Sequence, residues 1–447
     1  MAPSSSTISN NIVGAPLQLV WFLYDVAAET PTAILFLIFV SLVGLAFGLI
    51  YIVLHVVAPK PRLPYPSEKT YITTNPDGTI SKPRPLPCWY DRWHAESRLK
   101  EGQSSSSSSN AQQSYPTIPA GFPVPDFGTV EPAEVEISVV IPAYNEAGRL
   151  IPTLEEMIAY LDENFGRPVT SGTGTNSRPT SKGTGTPKPH RNVFKDASAH
   201  KRKNPPTGYE ILLINDGSTD ATVSIALDFA RRHQLHDILR IITLEKNRGK
   251  GGGVTHGLRH VRGEYAVFAD ADGASRFSDL GKLIEGCEDV VDGSNRGVAI
   301  GSRAHLVGSE AVVKRSAIRN FLMRSFHFVL MILTPPATSR IRDTQCGFKL
   351  FSRAALPHIV PYMHTEGWIF DIEMLMLAES APATPVLASD GSVIGTSYGI
   401  KVAEVPVAWH EVDGSKMNLV KDSVKMAIGL AVLRASWMLG VYRRRLA

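Results

Sequence analysis

The stretch YAVFADADGAS, Tyr265 to Ser275, passes straight from an apolar run into two carboxylates, Asp270 and Asp272. The run Tyr265 to Ala269 has the length and composition of a buried strand. An acidic pair at its end has two readings. One is an ordinary polar turn. The other is a ligand site, because side chains at i and i+2 of an extended chain project to the same side. Two carboxylates side by side suit Mg²⁺ or Mn²⁺, with phosphate and water filling the remaining positions. Such an ion neutralises charge building on a diphosphate leaving group.

The same strand-then-polar-turn pattern recurs upstream. Ile137 to Ile141 reads as a strand, followed by Tyr144-Asn145-Glu146 and a helix carrying Leu150, Leu154, Met157, Ile158 and Leu161. Glu210 to Ile214 is a second strand, with the turn Asn215-Asp216-Gly217 and a helix over 221–233. Leu239 to Leu244 is a third strand, and Gly249 to His260 a glycine-opened helix. Alternating strands and helices of this length predict an α/β fold, a mostly parallel sheet flanked by helices. Ligands bind such sheets at the carboxyl ends of the strands. The three polar turns therefore converge on one rim, and the site reading of the acidic pair gains ground.

The rest of the chain divides by composition. Ala33 to Val57 contains no Asp, Glu, Lys or Arg. At 1.5 Å per residue it spans roughly 37 Å, enough to cross a bilayer as a single-pass anchor. Asp25 and Glu29 precede it; Lys60, Arg62, Lys69, Lys82 and Arg84 follow. Positive residues stay cytoplasmic, so residues 1–32 are expected on the lumenal side and the bulk of the chain in the cytosol. Residues 58–134, rich in Pro and Ser, read as a linker mostly without fixed structure. The domain proper is expected over 135–418. It is interrupted at 166–208 by a Thr, Gly, Ser, Pro and Lys insertion that buries too little apolar surface to fold. Residues 419–447 are expected to form an amphipathic helix on the membrane, ending in Arg443-Arg444-Arg445.

Several classes are excluded. A formal net charge of +4 over 447 residues is too mild to argue for nucleic acid, though it suits an anionic membrane surface. Cys88, Cys287 and Cys346 are scattered and odd in number, so neither a disulfide framework nor a zinc site is indicated. No Ser-His-Asp or Cys-His arrangement stands out. The loop Asn247-Arg248-Gly249-Lys250-Gly251-Gly252-Gly253 offers backbone N–H groups and a lysine to phosphate, but it is not a Walker sequence. Asp216 suits a nucleobase or ribose contact, or simply a turn. Arg303, Lys314, Arg315, Arg319 and Arg324 lead into the apolar end of a helix expected over 311–333, a basic site beside a membrane-seeking segment. Asp371 and Glu373 place two further carboxylates at an apolar helix start, where Asp371 either caps the helix or takes part in the chemistry.

VVIPAYNE (Val139 to Glu146), NDGSTD (Asn215 to Asp220) and the Asp270–Asp272 pair together resemble the family-2 glycosyltransferases of GT-A fold. NRGKGG (Asn247 to Gly252), ADADGA (Ala269 to Ala274), GSRAHL (Gly301 to Leu306), RDTQCGFKLF (Arg342 to Phe351) and DGSK (Asp413 to Lys416) narrow the resemblance to the branch that glucosylates dolichyl phosphate. The resemblance implies UDP-glucose as donor, dolichyl phosphate as acceptor, inversion at the sugar carbon, and work at the endoplasmic reticulum membrane for N-glycan precursor assembly. A dolichyl-phosphate mannosyltransferase using GDP-mannose is the nearest alternative. By the same resemblance Pro142, Ala143, Tyr144, Glu146 and Asp216 hold uridine. Lys250, Gly251 and Ala271 assist the nucleotide, while Asp270 and Asp272 bind Mg²⁺ or Mn²⁺ and the diphosphate. Arg303, Arg315 and Arg319 receive the acceptor phosphate, and Gln345 and Asp371 face sugar and acceptor. Asn215, where many relatives carry Asp, is a departure, as are the insertion and the Ser-rich linker.

Overall fold

A computed structural model describes residues 28–96, 130–168, 206–306, 328–387, 393–412 and 419–443, with Trp21, Tyr24 and Ser325 besides. Contacts divide the chain into two units: residues 1–58 with 435–442, and residues 59–434 with 443–447. In the first, helix α1 runs over Thr32–Val57, and Leu54 is its buried residue. Among the described residues it is the one helix long and apolar enough to cross a membrane.

The larger unit is built on a seven-stranded sheet. Its strands are β1 (Val135–Ala143), β2 (Tyr209–Asn215), β3 (Leu239–Thr243), β4 (Gly263–Ala269), β5 (Val298–Ser302), β6 (Phe348–Ser352) and β7 (Val402–Pro406). Helices α2 (Leu150–Asn164), α3 (Thr222–Arg232), α4 (Gly249–Leu258), α5 (Leu280–Val290), α6 (Phe370–Glu379) and α7 (Leu419–Met438) are the longer helical elements. The spatial order is β7-β5-β6-β4-β1-β2-β3. All neighbours are parallel except β6, which runs antiparallel to both β4 and β5. The expected α/β architecture is present, with one reversed strand near its centre.

The apolar spacing of α2 does what it promised: Leu150, Leu154, Met157, Ile158 and Leu161 are all buried in the core. From the other half of the sheet, α5 contributes Leu280, Leu283, Ile284 and Cys287 to the same cluster. Strands β1, β2 and β4 are covered on both faces, which is why they read as continuous apolar runs rather than alternating ones. Register then fixes the rim. Ala143 lies opposite Asn215, and Asn215 opposite Thr243, so the carboxyl ends of β1, β2 and β3 are level. At the other end of these strands, buried Glu210 accepts from Ser138 Oγ (2.6 Å), Arg262 Nε (2.8 Å) and Arg240 Nη1 (3.2 Å). That network ties the starts of four strands together and runs on to Glu134 and Asp237.

The linker reading is corrected for residues 59–96. Tyr71, Leu86, Trp89 and Trp93 are buried. Ile72 pairs with Ile241 on β3, Thr73 Oγ1 donates to the Leu239 carbonyl (2.8 Å), and Trp89 Nε1 donates to the Leu258 carbonyl (2.7 Å). The segment covers the open edge of the sheet, which would otherwise present unpaired backbone. Proline-rich composition hid a few aromatic and β-branched residues that carry enough apolar area to dock. Residues 97–129 lie outside the described ones. So does 169–205, most of the expected insertion; its flanks meet, since a side chain at Gly208 would run into Pro168. The basic first part of the expected 311–333 helix, with Lys314, Arg315, Arg319 and Arg324, is likewise outside. Its described end is helical and exposes Phe328, Met331 and Ile332. On α7, Met426, Leu430 and Leu433 are buried while Val424 and Ile428 are exposed.

Candidate active site

The first two polar turns are stitched together. Asn145 sits at φ 52°, a conformation that Asn tolerates better than most residues. Its N–H donates to Ser218 Oγ (3.0 Å) and its Oδ1 accepts from the Thr219 N–H (2.8 Å). The Glu146 N–H donates to Thr222 Oγ1 (2.8 Å) and the Ala147 N–H to Asp220 Oδ2 (3.1 Å). Ala143 is buried at the strand end, Pro142 is half-buried beside it, and Tyr144 is 39% exposed at the rim. Glu146 is committed to Arg149 (2.6 Å), so its carboxylate anchors the loop.

Asp216, in the second turn, clamps the glycine loop. Its Oδ1 accepts from the Arg248 N–H (2.6 Å) and its Oδ2 from the Gly249 N–H (2.8 Å). Burial pushes its carboxyl up to about 6 against the pull of those two donors. The expected base-contacting acid is therefore also the clamp on the glycine loop. Gly251 packs: a side chain there would strike the Phe370 ring.

Beyond that loop the charged groups meet. Lys250 Nζ stands 2.7 Å from Asp270 Oδ1. Burial works against the Lys250 charge, yet Asp270, Asp371 and Asp272 together hold its ammonium above the usual lysine range. The Asp270 N–H donates to the Gly347 carbonyl on the segment leading into β6 (3.1 Å). Asp272 Oδ1 accepts from the Ala274 N–H (3.1 Å), and Gly273 follows at φ 70°, where a side chain would also press on Thr153 Oγ1. Ala271 is buried, with its carbonyl taken by Thr153 Oγ1 (3.1 Å). The turn beyond is held by Ala274 O to the His410 N–H and by Arg276 N–H to the Ala408 carbonyl.

Burial, and then the charge of Asp270, raise the Asp272 carboxyl above its usual range. This crowding of two carboxylates is what a divalent cation relieves. Among the described residues no group of three or more His, Cys, Asp or Glu side chains gathers to hold a metal. Two carboxylates side by side suit Mg²⁺ or Mn²⁺ when phosphate and water supply the remaining ligands. Gly347 is the close approach that permits the arrangement, because a Cβ at 347 would fall on the Asp270 carboxylate. Gly347→Ala is expected to lower turnover roughly tenfold to a hundredfold by displacing that group. Steady-state kinetics beside a thermal melt check this; wild-type turnover in a folded variant would rule it out.

Asp371 is buried at the start of α6, where its Oδ1 accepts from Lys349 Nζ (2.5 Å). Burial raises its carboxyl, opposed by Lys349 and Lys250. Lys349, fully buried on β6, also donates to the Cys346 carbonyl (2.6 Å) and lies 5.3 Å from the Phe268 ring centre. Lys349, Asp371, Lys250 and Asp270 thus form a chain of alternating charge from the core to the rim. Sequence reasoning missed Lys349; its signal was a lysine inside the apolar strand FKLFS. Asn145 was missed as the stitch between two loops. Arg248 was passed over as part of the glycine loop. It donates to the carbonyls of Arg62 and Leu63 (both 3.0 Å) and to buried Glu68 (2.5 Å).

Other expected residues stand apart. Arg303 is held bidentately by Asp343, Nε at 2.7 Å and Nη2 at 2.8 Å, over the Trp409 ring. Burial opposes its charge, but Asp343 holds it above the usual range. Its Nη1 is the N–H group that Asp343 does not use. Gln345 Nε2 faces the Met426 sulfur on α7 (3.8 Å). Glu373 is occupied with the 364–365 loop, accepting from Thr365 N–H (2.8 Å) and from His364. Arg315, Arg319 and Asp413 to Lys416 lie outside the described residues.

A model of the glycosyl transferase family 2 matches residues 193–357. A dolichyl-phosphate beta-glucosyltransferase of Saccharomyces cerevisiae is 36% identical over 424 residues, covering 93% of this chain and 96% of that protein. The Homo sapiens protein of the same description is 33% identical over 309 residues, covering 69% of this chain and 78% of its own. Among solved structures, glucosyl-3-phosphoglycerate synthase from Mycobacterium tuberculosis, in complex with Mn²⁺, uridine diphosphate and phosphoglyceric acid, is 16% identical with a TM-score of 0.36 over 67% of this chain and 78% of that one. The acid-ended β4, the glycine loop clamped by Asp216 and the yeast relative's coverage agree: this chain is a glycosyltransferase and belongs to the dolichyl-phosphate β-glucosyltransferase family.

Proposed function

We propose that the protein transfers glucose from UDP-glucose to dolichyl phosphate with inversion, giving dolichyl β-D-glucosyl phosphate and UDP. The observation that carries this reading is the crowded Asp270–Asp272 pair, with Lys250 on it, at the strand-end rim of a chain from this family. Asp270 and Asp272 would hold Mg²⁺ or Mn²⁺, which supplies charge neutralisation for the departing diphosphate. Lys250 adds a positive charge at the same place. The stitched 144–146 and 218–220 turns present the exposed Tyr144 face to the uridine, and Asp216 holds the glycine loop in the shape the nucleotide meets. Gln345 and Asp371 are assigned to the sugar and acceptor side.

No side chain needs to act as a strong base. A phosphate monoester has its second pKa near 6 and is mostly ionised at neutral pH. It can attack without losing a proton, so positioning and charge stabilisation carry the rate. Arg303, through Nη1, with Arg315 and Arg319, is assigned to the acceptor phosphate. The exposed Phe328, Met331, Ile332, Val424 and Ile428 suit contact with lipid tails around a polyprenyl acceptor. Helix α1 would anchor the chain in the endoplasmic reticulum membrane with the catalytic unit cytosolic, as the Lys and Arg after Val57 favour. The product would then enter N-glycan precursor assembly.

Membranes containing the protein, supplied with dolichyl phosphate, are expected to transfer from UDP-glucose and not from GDP-mannose. EDTA is expected to stop the reaction and Mg²⁺ or Mn²⁺ to restore it. Transfer from GDP-mannose at an equal rate, or transfer undiminished in EDTA, would overturn the donor or the metal assignment respectively.

A further inference from the structure

The glycine loop has an anchor far from its own motif. Arg248 and Gly249 give their N–H groups to Asp216, and Lys250, next along, reaches Asp270 (2.7 Å). The backbone at 248–250 therefore sets the spacing between the expected base-contacting acid and the acidic rim. The Arg248 side chain leaves that rim. It is buried, and its guanidinium is spent on Glu68 and on the Arg62 and Leu63 carbonyls. Residues 62–68 form a strap that begins five residues past Val57 and belongs to none of the motifs read from the sequence.

The loop has no slack with which to absorb a shift of that arginine. Gly249 lies at φ 77°, and a side chain at 249 or 251 would come within 2.9 Å of the Glu366 carbonyl. A side chain at 252 would strike the Cβ of Arg248 itself. These glycines press the loop against the Arg248 stem and the 366 backbone, and close-packed groups pass a displacement on. Glu68 holds the arginine from the far side. Fully buried, it accepts on Oε2 from Arg248 Nη2 (2.5 Å) and the Tyr65 N–H (2.9 Å), and on Oε1 from the Glu245 N–H (3.0 Å). Its carbonyl accepts from His256 Nε2 on α4 (2.9 Å). One residue thus ties the strap to the chain entering the glycine loop, to the loop, and to the helix that the loop opens. Arg62 adds an outer tie, with Nε on Glu366 Oε2 (2.6 Å). Docking of the edge cover does not need the Glu68–Arg248 pair, because Tyr71, Trp89 and Trp93 already bury apolar surface there. A buried ion pair is a weak source of stability, whereas a charge-assisted hydrogen bond fixes geometry. The geometry that Glu68 fixes is that of the glycine loop.

We propose that Glu68 is a positioning residue for the donor: through Arg248 it holds the glycine loop where Lys250 and the loop backbone meet the nucleotide. Arg62 supports the same loop through Glu366. This role rests on the reading of the rim as a UDP-glucose site and extends that site to the strap. The tie is mutual, so a nucleotide that binds the held loop also steadies the strap, by the reciprocity of linked equilibria.

The full-length protein in detergent is titrated calorimetrically with UDP in the presence of Mn²⁺. Glu68→Gln keeps the size of the side chain and removes its charge from Arg248. It is expected to weaken UDP binding about tenfold and to raise the KM for UDP-glucose about as much, with the KM for dolichyl phosphate unchanged. Arg62→Gln changes a side chain that is 46% exposed, so the fold tolerates it, and is expected to weaken UDP about threefold. Thr73→Val breaks the bond of the cover to the Leu239 carbonyl, at the opposite end of β3 from the rim. It is expected to lower the melting temperature and to leave UDP affinity as in wild type. Hydrogen exchange over residues 62–71 is expected to slow when UDP binds the wild type, and not when UDP saturates Glu68→Gln. Wild-type UDP affinity in folded Glu68→Gln would overturn the positioning role and leave the donor reading standing; where that variant fails to fold, wild-type affinity in Arg62→Gln does the same. An equal loss in Thr73→Val, or exchange of the strap untouched by UDP in the wild type, would overturn it too, since the cover would then act through stability alone. A wild type that binds no UDP would overturn the donor reading itself, and this role with it.

Discussion

Asp272→Asn is expected to lower transfer about 10³-fold while leaving thermal stability unchanged or slightly raised. The first half follows from position. Asp270 and Asp272 are the two carboxylates available at the end of β4, and a metal held there supplies several kcal/mol of charge stabilisation. Loss of about 4 kcal/mol of that is about a thousandfold in rate. The second half follows from electrostatics. Burial and the neighbouring Asp270 raise the Asp272 carboxyl, so the fold works against its charged form. Removing the charge removes that repulsion, and the Ala274 N–H can still find the amide oxygen. A folded, inactive variant whose melting temperature no longer rises with Mg²⁺ or Mn²⁺ is the expected pattern. Retained activity would sink the metal assignment. A large fall in stability would show instead that Asp272 is part of the scaffold.

How far the sequence carried the fold can be judged at particular elements. Strands β1 to β4 and helices α2 to α4 were legible because each apolar run ends in a polar turn and each helix shows its own spacing. Strand β6 was not identified. An antiparallel strand inserted between parallel ones has no local signature, and FKLFS places a lysine where apolar continuity is expected. Residues 59–96 were misread because proline suggests a linker, whereas Ile72 and Trp89 are fixed by partners on β3 and α4 far along the chain. Asp270, Asp272 and Lys250, singled out by type and spacing, are the charged groups that the fold brings together at the end of β4. Arg303 illustrates the limit: a basic residue in a promising motif turns out to be held by Asp343, and only tertiary structure supplies that partner. Glu146 was given to uridine for the same reason and is held by Arg149.

The 59–96 segment also alters how the site is understood. Arg248 lies in the glycine loop, yet its guanidinium reaches the Arg62 and Leu63 carbonyls and Glu68. Arg62 in turn pairs with Glu366, whose carbonyl accepts from the Gly252 N–H (3.2 Å). The loop that Asp216 holds from one side is held from the other by residues just past the apolar helix. The edge cover and the glycine loop are one hydrogen-bonded piece.

Lys349→Met is expected to destabilise the catalytic unit by about 3–5 kcal/mol at neutral pH, the effect of removing one partner of a buried ion pair. Lys349 is fully buried, and its ammonium is spent on Asp371 and the Cys346 carbonyl. Methionine fills the space but leaves Asp371 with Lys250 as its remaining neighbouring cation. At roughly 2–4 °C per kcal/mol the apparent melting temperature is expected to fall by about 6–20 °C. The pH dependence has a definite sign. Asp371 already titrates above its usual value, so the folded state holds its proton more tightly than the unfolded chain does. Stability linked to such a group is present below the ordinary carboxylate pKa and is lost as pH rises through the raised one. Without Lys349 that value rises further. The deficit of the variant is therefore expected to be full at neutral pH and to shrink toward pH 4, as Asp371 becomes neutral. Lys349→Met combined with Asp371→Asn is expected to regain much of the loss at neutral pH, since no buried charge is left unpaired. Melting curves of the two variants across pH test this. A pH-independent deficit, or a double variant no better than the single one, would show that Lys349 acts through packing and not through Asp371.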